Sequence, residues 1–156
     1  MQIVPATADH VAALARLRVA LLEETGAALD AAERAALLRD NEAFYAGRLA
    51  APDWRSWVAL FEGEVGAVGT MALWPRPPYP GNPAGLDAYL LNMYTAPARR
   101  GRGAATAILG AALDWARGQG ARKVVLHATD DGRRLYARHG FVASAQYMEL
   151  AWPAPA

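Results

Sequence analysis

The sequence predicts a mixed α/β (α+β) fold, in which helices pack against a sheet with antiparallel and parallel strand pairs. Apolar patterns of helical and strand period follow one another in the order β-α-α-β-β-β-α-β-α-β-β. Residues 57–61 and 65–74 are strand patterns separated by a short turn at 62–64, which is typical of an antiparallel hairpin. Residues 87–128 read strand, loop, helix, strand, and such a crossover connection joins parallel strands.

The chain length is that of one ordinary domain, and we expect residues 1–156 to form it. The sequence contains no cysteine, which excludes a disulfide framework, a thiolate nucleophile and cysteine-ligated zinc. Residues 1–5 are too short and uncharged for a signal peptide, and no segment approaches the ~18 apolar residues of a membrane span. These features predict a cytoplasmic protein with no membrane contact.

The first half of the chain predicts one strand, two helices and the hairpin. Residues 2–4 are a strand candidate, and Thr7 precedes apolar residues at helical spacing that end at Gly26. Asp30 and Glu33 resemble a capping box at the start of a second helix, which Pro52 ends. After the hairpin, residues 75–85 contain five prolines and two glycines and are predicted to be a loop.

The second half predicts a strand at 87–94, a loop at 96–103 and an alanine-rich helix at 104–117. A strand at 123–128 and a short helix at 132–138 follow, and we interpret Asp130 and Asp131 as caps of that helix. Residues 141–142 and 146–150 are predicted to be two closing strands.

The charge distribution is uneven, although the net charge is only +1. Residues 1–98 carry seven arginines against eleven acidic residues, a net charge of −4. Residues 99–138 carry eight arginines and Lys123 against three acidic residues, a net charge of +6. A basic block of this kind favours an anionic partner, either nucleic acid or a polyphosphate cofactor.

The loop at 99–105 lies between a strand and a helix, at the start of the basic block. Gly101 and Gly103 can adopt positive φ and allow close approach of a ligand to the backbone. The first amides of the following helix have no partners within it, so a phosphate fits there. The string is neither a P-loop nor a G-x-G-x-x-G dinucleotide motif. The alternative is a basic helix entry that binds nothing.

Three motifs in chain order resemble those of the GNAT superfamily of N-acetyltransferases. They lie at about residues 90–142, and the flanking elements are also similar, so the resemblance covers nearly the whole chain. The glycine loop fits the family pattern Gln/Arg-x-x-Gly-x-Gly/Ala. The motifs are Asn92-Met-Tyr-Thr-Ala-Pro97, Arg100-x-x-Gly103-x-Ala105 and Leu135-Tyr136-Ala-Arg-His-Gly140-Phe141.

The resemblance implies a mixed, mostly antiparallel sheet with a central splayed pair of parallel strands, flanked by helices, and acetyl-CoA as acetyl donor. It implies that backbone of Met93, Tyr94 and Thr95 pairs with the pantetheine arm. The pyrophosphate would lie on the amides of the glycine loop, with charge added by Arg99 and its neighbours. The implied phosphate-binding residues are Arg100, Gly101, Arg102, Gly103, Ala104 and Ala105. Thr129, where many members have Asn, is a further cofactor candidate, and Gly132 stands where many have Ala.

Tyr136 is the predicted catalytic residue, because the family's tyrosine at this place acts as general acid toward the cofactor sulfur. A phenol with a pKa of about 10 is protonated at neutral pH and can donate. The alternative is a core aromatic of an amphipathic helix.

The general base is not evident from the sequence. Four acidic residues are candidates by type alone, and His127 alternates with apolar residues on a central strand, where it faces the cleft or packs in the core. No set of His, Asp and Glu has metal-ligand spacing, so we expect no metal. The acidic candidates are Glu23, Glu24, Glu42 and Asp87.

The predicted function is N-acetylation of a small-molecule or peptide amine, and the alternative is a non-catalytic acyl-CoA-binding or regulatory module. A nucleic-acid binder is disfavoured because the arginines lack interleaved stacking aromatics. The acidic first 98 residues suit a cationic amine, although solubility explains them equally well. The Pro-rich loop lines the acceptor pocket, is a surface excursion, or forms the contact of a homodimer.

Overall fold

A computed structural model describes residues 1–145 and 148–152. The described strands and longer helices follow in the order β1, α1, α2, β2, β3, β4, α3, β5, α4, with two short 3-10 turns at Ala8–His10 and Pro97–Arg99. Their bounds are β1 Gln2–Pro5, α1 Val11–Glu24, α2 Ala31–Arg48, β2 Trp54–Phe61, β3 Glu64–Pro75, β4 Leu86–Thr95, α3 Ala104–Gly118, β5 Val124–Leu126 and α4 Asp130–Arg138.

The five strands form one mixed sheet in the spatial order β1-β2-β3-β4-β5. The first three strand pairs are antiparallel and β4 pairs with β5 in parallel, as the hairpin and the crossover predicted. Glu62 and Gly63 have φ values of 54° and 87°, the positive values that a tight hairpin turn with the twist of its strands requires. The predicted mixed, mostly antiparallel fold is confirmed.

Apolar side chains cover both faces of the sheet and form two cores. On one face, Ile108, Leu109 and the small alanines of α3 pack against Met71 and Leu90. On the other face, Leu14 and Leu17 of α1 and Tyr45 of α2 pack against Val58 and Val68. Because each residue step along a strand reverses the side chain's direction, the alternating strands supply both cores. The sheet therefore separates an α1–α2 layer from an α3–α4 layer.

The helix starts follow local side-chain chemistry. Asp30 accepts hydrogen bonds from the amides of Ala32 and Glu33, and Glu33 accepts from the Asp30 amide, so the predicted capping box is confirmed. The last helix begins at Asp130 rather than at Gly132, and its N-cap is Thr129, whose hydroxyl accepts from the Gly132 amide at 3.3 Å. The two aspartates thus occupy the first turn, where their charge favours the helix dipole, and do not cap it.

The predicted closing strand at 141–142 is not formed, and residues 148–150 are not in a strand either. Gln146 and Tyr147 of the second predicted strand lie outside the described residues. The physical reason at Phe141 is that its amide donates to the Tyr136 carbonyl at 3.1 Å and so ends α4. An amide used in this way is not available to a strand ladder.

The Pro-rich loop is anchored at the N-terminal end of β4 by Asp87, which is fully buried. One carboxylate oxygen of Asp87 accepts from Tyr79 and Asn82, both at 2.9 Å, and the other lies 3.8 Å from Arg76 and from Lys123. Buried charge of this kind needs such partners to be tolerated. Asp87 is therefore a structural residue of the loop. None of the helices in the described part of the chain is long and apolar enough to cross a membrane.

Candidate active site

The centre of the sheet opens between β4 and β5. Their parallel register runs from Ala88 opposite Val124 to Leu90 opposite Leu126, whereas β4 itself continues to Thr95. Residues 91–95 of β4 thus extend past the pairing with β5, although Tyr94 and Thr95 still pair with β3 on the other side. The two strands separate at this point, which agrees with the splayed pair expected from the sequence.

A β-bulge in β4 shapes the open end. The register with β3 shifts between Val68 and Thr70, and Asn92 has a φ of 55°, which is uncommon for a residue other than glycine. The bulge turns Leu91 and Asn92, although adjacent, toward the α1–α2 layer, where the Asn92 amide donates to the Tyr45 hydroxyl at 2.5 Å. The side-chain oxygen Oδ1 of Asn92 is buried and has no hydrogen-bond partner among residues 1–145 and 148–152.

Gly69 makes room for the next side chain of β4. A Cβ at Gly69 would lie 2.4 Å from the sulfur of Met93 and 2.5 Å from the Cγ2 atom of Ile108. Met93 therefore packs across Gly69 against α3, on the opposite side of the sheet from Asn92.

A cavity of about 350 Å³ runs through the opening from the α1 layer to α4. Its volume is in the range of small-molecule sites. The lining residues are Arg18, Leu21, Leu22, Thr25, Tyr89, Leu91, Asn92, Met93, His127, Thr129 and Tyr136. The cavity brings together Met93, Thr129 and Tyr136 of the predicted site, and no residue of the Pro-rich loop lines it.

Tyr136 is held in the cavity wall by the way α4 ends. Gly140 has a φ of 86°, its amide donates to the Ala137 carbonyl, and the next amide donates to the Tyr136 carbonyl. This is a Schellman motif, and its usual apolar contact is made here by the rings of Tyr136 and Phe141, whose centroids are 5.7 Å apart. The sequence Tyr136-x-x-x-Gly140-Phe141 therefore fixes the position of the Tyr136 ring.

Tyr136 is 8% exposed, and this burial raises the pKa of its phenol above the usual value of 10.0. Gly132 leaves space for the ring, because a Cβ there would lie 3.0 Å from the Tyr136 Cε2 atom. The tyrosine is accordingly a buried, protonated hydroxyl group at neutral pH.

Tyr89 and His127 form a pair of titratable groups in the same cavity. The Tyr89 hydroxyl and the His127 Nδ1 atom share a hydrogen bond across the opening of β4 and β5, and their rings meet edge to face. The sequence left open whether His127 packs in the core or faces the cleft. It lines the cavity and is exposed there.

The acidic candidates for a base do not reach this cavity. Glu23 is paired with Arg34 at 2.9 Å, and Glu24 is paired with Arg100 at 2.6 Å. Glu42 is exposed on α2. Asp87 lies at the far end of β4. Of the candidate bases that the sequence offered, His127 is therefore the one that lies in the cavity.

The glycine loop has the predicted backbone. Gly101 and Gly103 have φ values of 72° and 80°, and both are exposed. Side chains cap the N-termini of α2 and α4. The N-cap residue of α3 is Gly103, which has no side chain that could cap the helix. The first amides of α3 are thus presented toward the loop with the positive end of the helix dipole, an arrangement that suits a phosphate group.

The three arginines of the loop are engaged with the protein itself. Arg99 lies 3.2 Å from Glu64, and both Arg99 and Arg102 lie over the ring of Phe61 at 5.4 and 5.0 Å.

Arg100 connects the loop to α1. It donates to the Thr95 carbonyl at 3.0 Å and to the Glu24 carboxylate, which also accepts from the Tyr94 hydroxyl at 3.0 Å. The hydrogen bonds from Arg100 hold the pKa of Glu24 below its usual range.

No group of three potential metal ligands occurs among residues 1–145 and 148–152.

An open parallel strand pair, an uncapped helix after a glycine loop and a buried tyrosine are the features that the resemblance implied for an acetyl-CoA-dependent transferase. The sequence profile of the acetyltransferase (GNAT) family matches residues 15–141. The chain belongs to this family.

Solved structures agree with that assignment. A GCN5-related N-acetyltransferase from Ralstonia eutropha JMP134 is 29% identical with a TM-score of 0.81, over 96% of this chain and 97% of that one. A predicted acetyltransferase from Clostridium acetobutylicum, solved with acetyl-CoA, is 27% identical with a TM-score of 0.83, over 96% and 95%. No curated protein matches the sequence significantly.

Proposed function

We propose that this protein transfers an acetyl group from acetyl-CoA directly to a primary amine of a small molecule or peptide. The observation that carries the proposal is the cavity in which the open end of β4, Tyr136 and α1 meet. A ternary complex fits this geometry, because donor and acceptor can enter from opposite sides of the sheet. The absence of cysteine excludes an acetyl-thioester on the enzyme.

Two backbone features fit acetyl-CoA. Met93, Tyr94 and Thr95 lie beyond the β4–β5 register, where an extended pantetheine arm would add to the sheet like a strand. The uncapped start of α3 would hold the pyrophosphate through the amides of Arg100, Gly101, Arg102, Gly103, Ala104 and Ala105.

Thr129 remains a proposed cofactor contact. Its oxygen accepts the Gly132 amide as N-cap of α4, and its hydroxyl proton is still available to donate.

Tyr136 is the proposed general acid. Its raised pKa keeps the phenol protonated through neutral pH, so the hydroxyl can deliver a proton to the departing thiolate. Since burial shifts the pKa of Tyr136 upward, turnover should fall through deprotonation of the phenol only at a pH above the ordinary tyrosine pKa of about 10.

His127 is the proposed base that accepts the first proton from the substrate ammonium. Imidazole is the side chain most often used for this purpose, and Nδ1 is held by Tyr89 in the cavity. The substrate nitrogen loses a second proton when the C–N bond has formed and the C–S bond breaks. Tyr136 gives its proton to the departing sulfur and takes up this second proton, while His127 releases the first proton to the solvent. One proton per turnover therefore reaches the solvent.

The direct test is thiol release from acetyl-CoA over a panel of amines, with the Tyr136→Phe variant beside the native protein. We expect the variant to bind acetyl-CoA with unchanged affinity and to lose about 10²-fold in kcat, the usual effect of losing a general acid. Tyr79→Phe, which removes a hydroxyl of the remote Pro-rich loop, is the control and should keep its kcat.

Two outcomes would contradict parts of the proposal. An unchanged kcat in Tyr136→Phe would remove the acid role of the tyrosine while leaving the transferase activity. If no amine accelerates thiol release although acetyl-CoA raises the melting temperature, the protein is an acyl-CoA-binding module instead.

A further inference from the structure

The α1 side of the cavity is left for the acceptor, because the proposed cofactor contacts lie on β4, α4 and the glycine loop. The charge on this acceptor side differs from what the acidic first 98 residues suggested. Arg18 is half-buried, and it is the one Lys, Arg, Asp or Glu residue among the described residues that line the cavity. No described carboxylate lies within 4.0 Å of its guanidinium, whereas the other charges near this end of α1, Glu23 and Glu24, are both paired.

The position of Arg18 on α1 directs it to the acceptor side. Arg18, Leu21, Leu22 and Thr25 have the spacing i, i+3, i+4 and i+7, so they share one face of the helix, and all four line the cavity. Glu24 is paired with Arg100 of the glycine loop, and the Arg18 Cα atom lies about 9 Å along the helix from that of Glu24. Arg18 is thus away from the proposed pyrophosphate site.

A half-buried guanidinium next to leucines favours a ligand that brings its own negative charge. Arginine presents a planar fork of N–H donors that binds a carboxylate with two parallel hydrogen bonds. Asn92 also lines the cavity, and its buried side-chain oxygen Oδ1 has no hydrogen-bond partner among the described residues, so this end of the cavity suits the polar amine of the ligand better than the leucine face of α1 does.

We propose that the acetyl acceptor is a small amine that also carries a carboxylate, as an amino acid does, and that Arg18 binds this carboxylate. The amine then lies toward Asn92 and the open end of β4, and the substrate's apolar part contacts Leu21, Leu22 and Leu91. This inference rests on the proposed acetyl transfer to amines.

The experiment measures kcat/KM for matched acceptors: α-amino acids with apolar and polar side chains, their amides and the corresponding decarboxylated amines. The native protein should prefer the acids over the amides by about tenfold or more, as a charge-assisted hydrogen bond allows. Arg18→Gln should lose this preference, mainly through a higher KM, and Arg18→Lys should keep part of it.

Arg16→Gln is the matched control, because it removes the same charge from an exposed position on the same helix. It should leave the preference unchanged. A binding readout without turnover completes the test: N-acetyl amino acids, but not their amides, should raise the melting temperature of the native protein and of Arg16→Gln, and not of Arg18→Gln.

The outcomes separate this inference from the function on which it rests. Turnover of amides or simple amines without a preference for the acids overturns the carboxylate inference and leaves the transferase. The carboxylate inference is also overturned, and the transferase kept, if Arg18→Gln keeps the preference for the acids. It is likewise overturned if Arg18→Gln weakens acetyl-CoA binding while the acceptor KM stays the same. If no acceptor of any class is acetylated, the proposed function fails, and the inference fails with it.

Discussion

At the scale of single residues, the site depends on side chains whose role is set by neighbours distant in sequence. His127 meets Tyr89 across the opening of two strands, although 38 residues separate them. Asn92 meets Tyr45 of α2 because a bulge turns it toward that layer. Each contact depends on the assembled sheet.

The proposed base gives a prediction with a pH signature. His127→Gln should lower kcat/KM by about 10²-fold near neutral pH, and the deficit should shrink at higher pH, because more of the amine is then already neutral. Initial rates across pH check this. His10→Gln is the control, since Gln also suits the capping box that His10 forms with Thr7. A deficit that stays constant with pH would indicate a structural role for His127.

At the scale of elements, the end of α4 fixes the position of Tyr136, the proposed general acid. Gly140→Ala places a Cβ at a φ of 86°, which costs roughly 1–2 kcal/mol and loosens the contact of Phe141 with Tyr136. We expect kcat to fall by about tenfold, since small displacements of a reacting group are costly. Steady-state kinetics and urea unfolding measure the two effects.

The end of α3 supplies the matched control. Gly120 has a φ of 88°, and the amides of Gly120 and Ala121 form the same Schellman bonds to Arg117 and Ala116. Gly120→Ala should lose a similar free energy of unfolding and keep its kcat. Equal losses of kcat in both variants would show that destabilisation alone, and not Tyr136, is responsible.

The glycine loop before α3 gives a second element-scale prediction. Gly103→Ala should raise the Kd of acetyl-CoA by about tenfold, or 1.4 kcal/mol, because the Cβ strains the turn that presents the α3 amides. Titration calorimetry measures this. Gly63→Ala in the β2–β3 hairpin has the same type of strain and should bind acetyl-CoA normally. Normal binding by Gly103→Ala would argue against the amide cradle.

At the scale of the whole molecule, the ion pair of Glu24 and Arg100 ties the α1 layer to the loop that leads into α3. The pKa of Glu24 is lowered in the folded protein, mainly by Arg100, so the pair stabilises the fold above the ordinary carboxyl pKa of about 4.3. This stabilisation is lost as the pH falls through the lowered pKa.

Glu24→Gln should therefore be less stable than the native protein at pH 7 and equal to it in acid. The difference should be about 0.5 kcal/mol, because the two side chains are 42% and 45% exposed and solvent screens them. Urea unfolding as a function of pH measures it. Glu42→Gln, which removes the same charge from an exposed position on α2, is the matched control and should be as stable as the native protein at pH 7. A difference that persists at low pH would contradict the assignment.

Much of the fold was predictable because its signals are local. Capping at Asp30, the hairpin at Glu62-Gly63 and the parallel crossover from β4 to β5 depend on nearby residues or on the handedness of connections. The closing strands were predicted wrongly where tested, since the apolar pattern at Phe141 fits a strand and a helix C-cap alike. The cytoplasmic location, the homodimer and the extent of the domain stay predictions.

The sequence by itself determined the family, the positive-φ glycines of the loop before α3 and the end of the last helix at Gly140, because each is carried by motifs of neighbouring residues. Only the tertiary structure decided which polar groups share the cavity. The spacing of Arg18, Leu21, Leu22 and Thr25 defines a helix face, yet nothing in that spacing tells whether the face meets solvent, core or cleft. That choice is made by packing α1 across the sheet, which also leaves Asp87 outside the cavity and brings His127 into it.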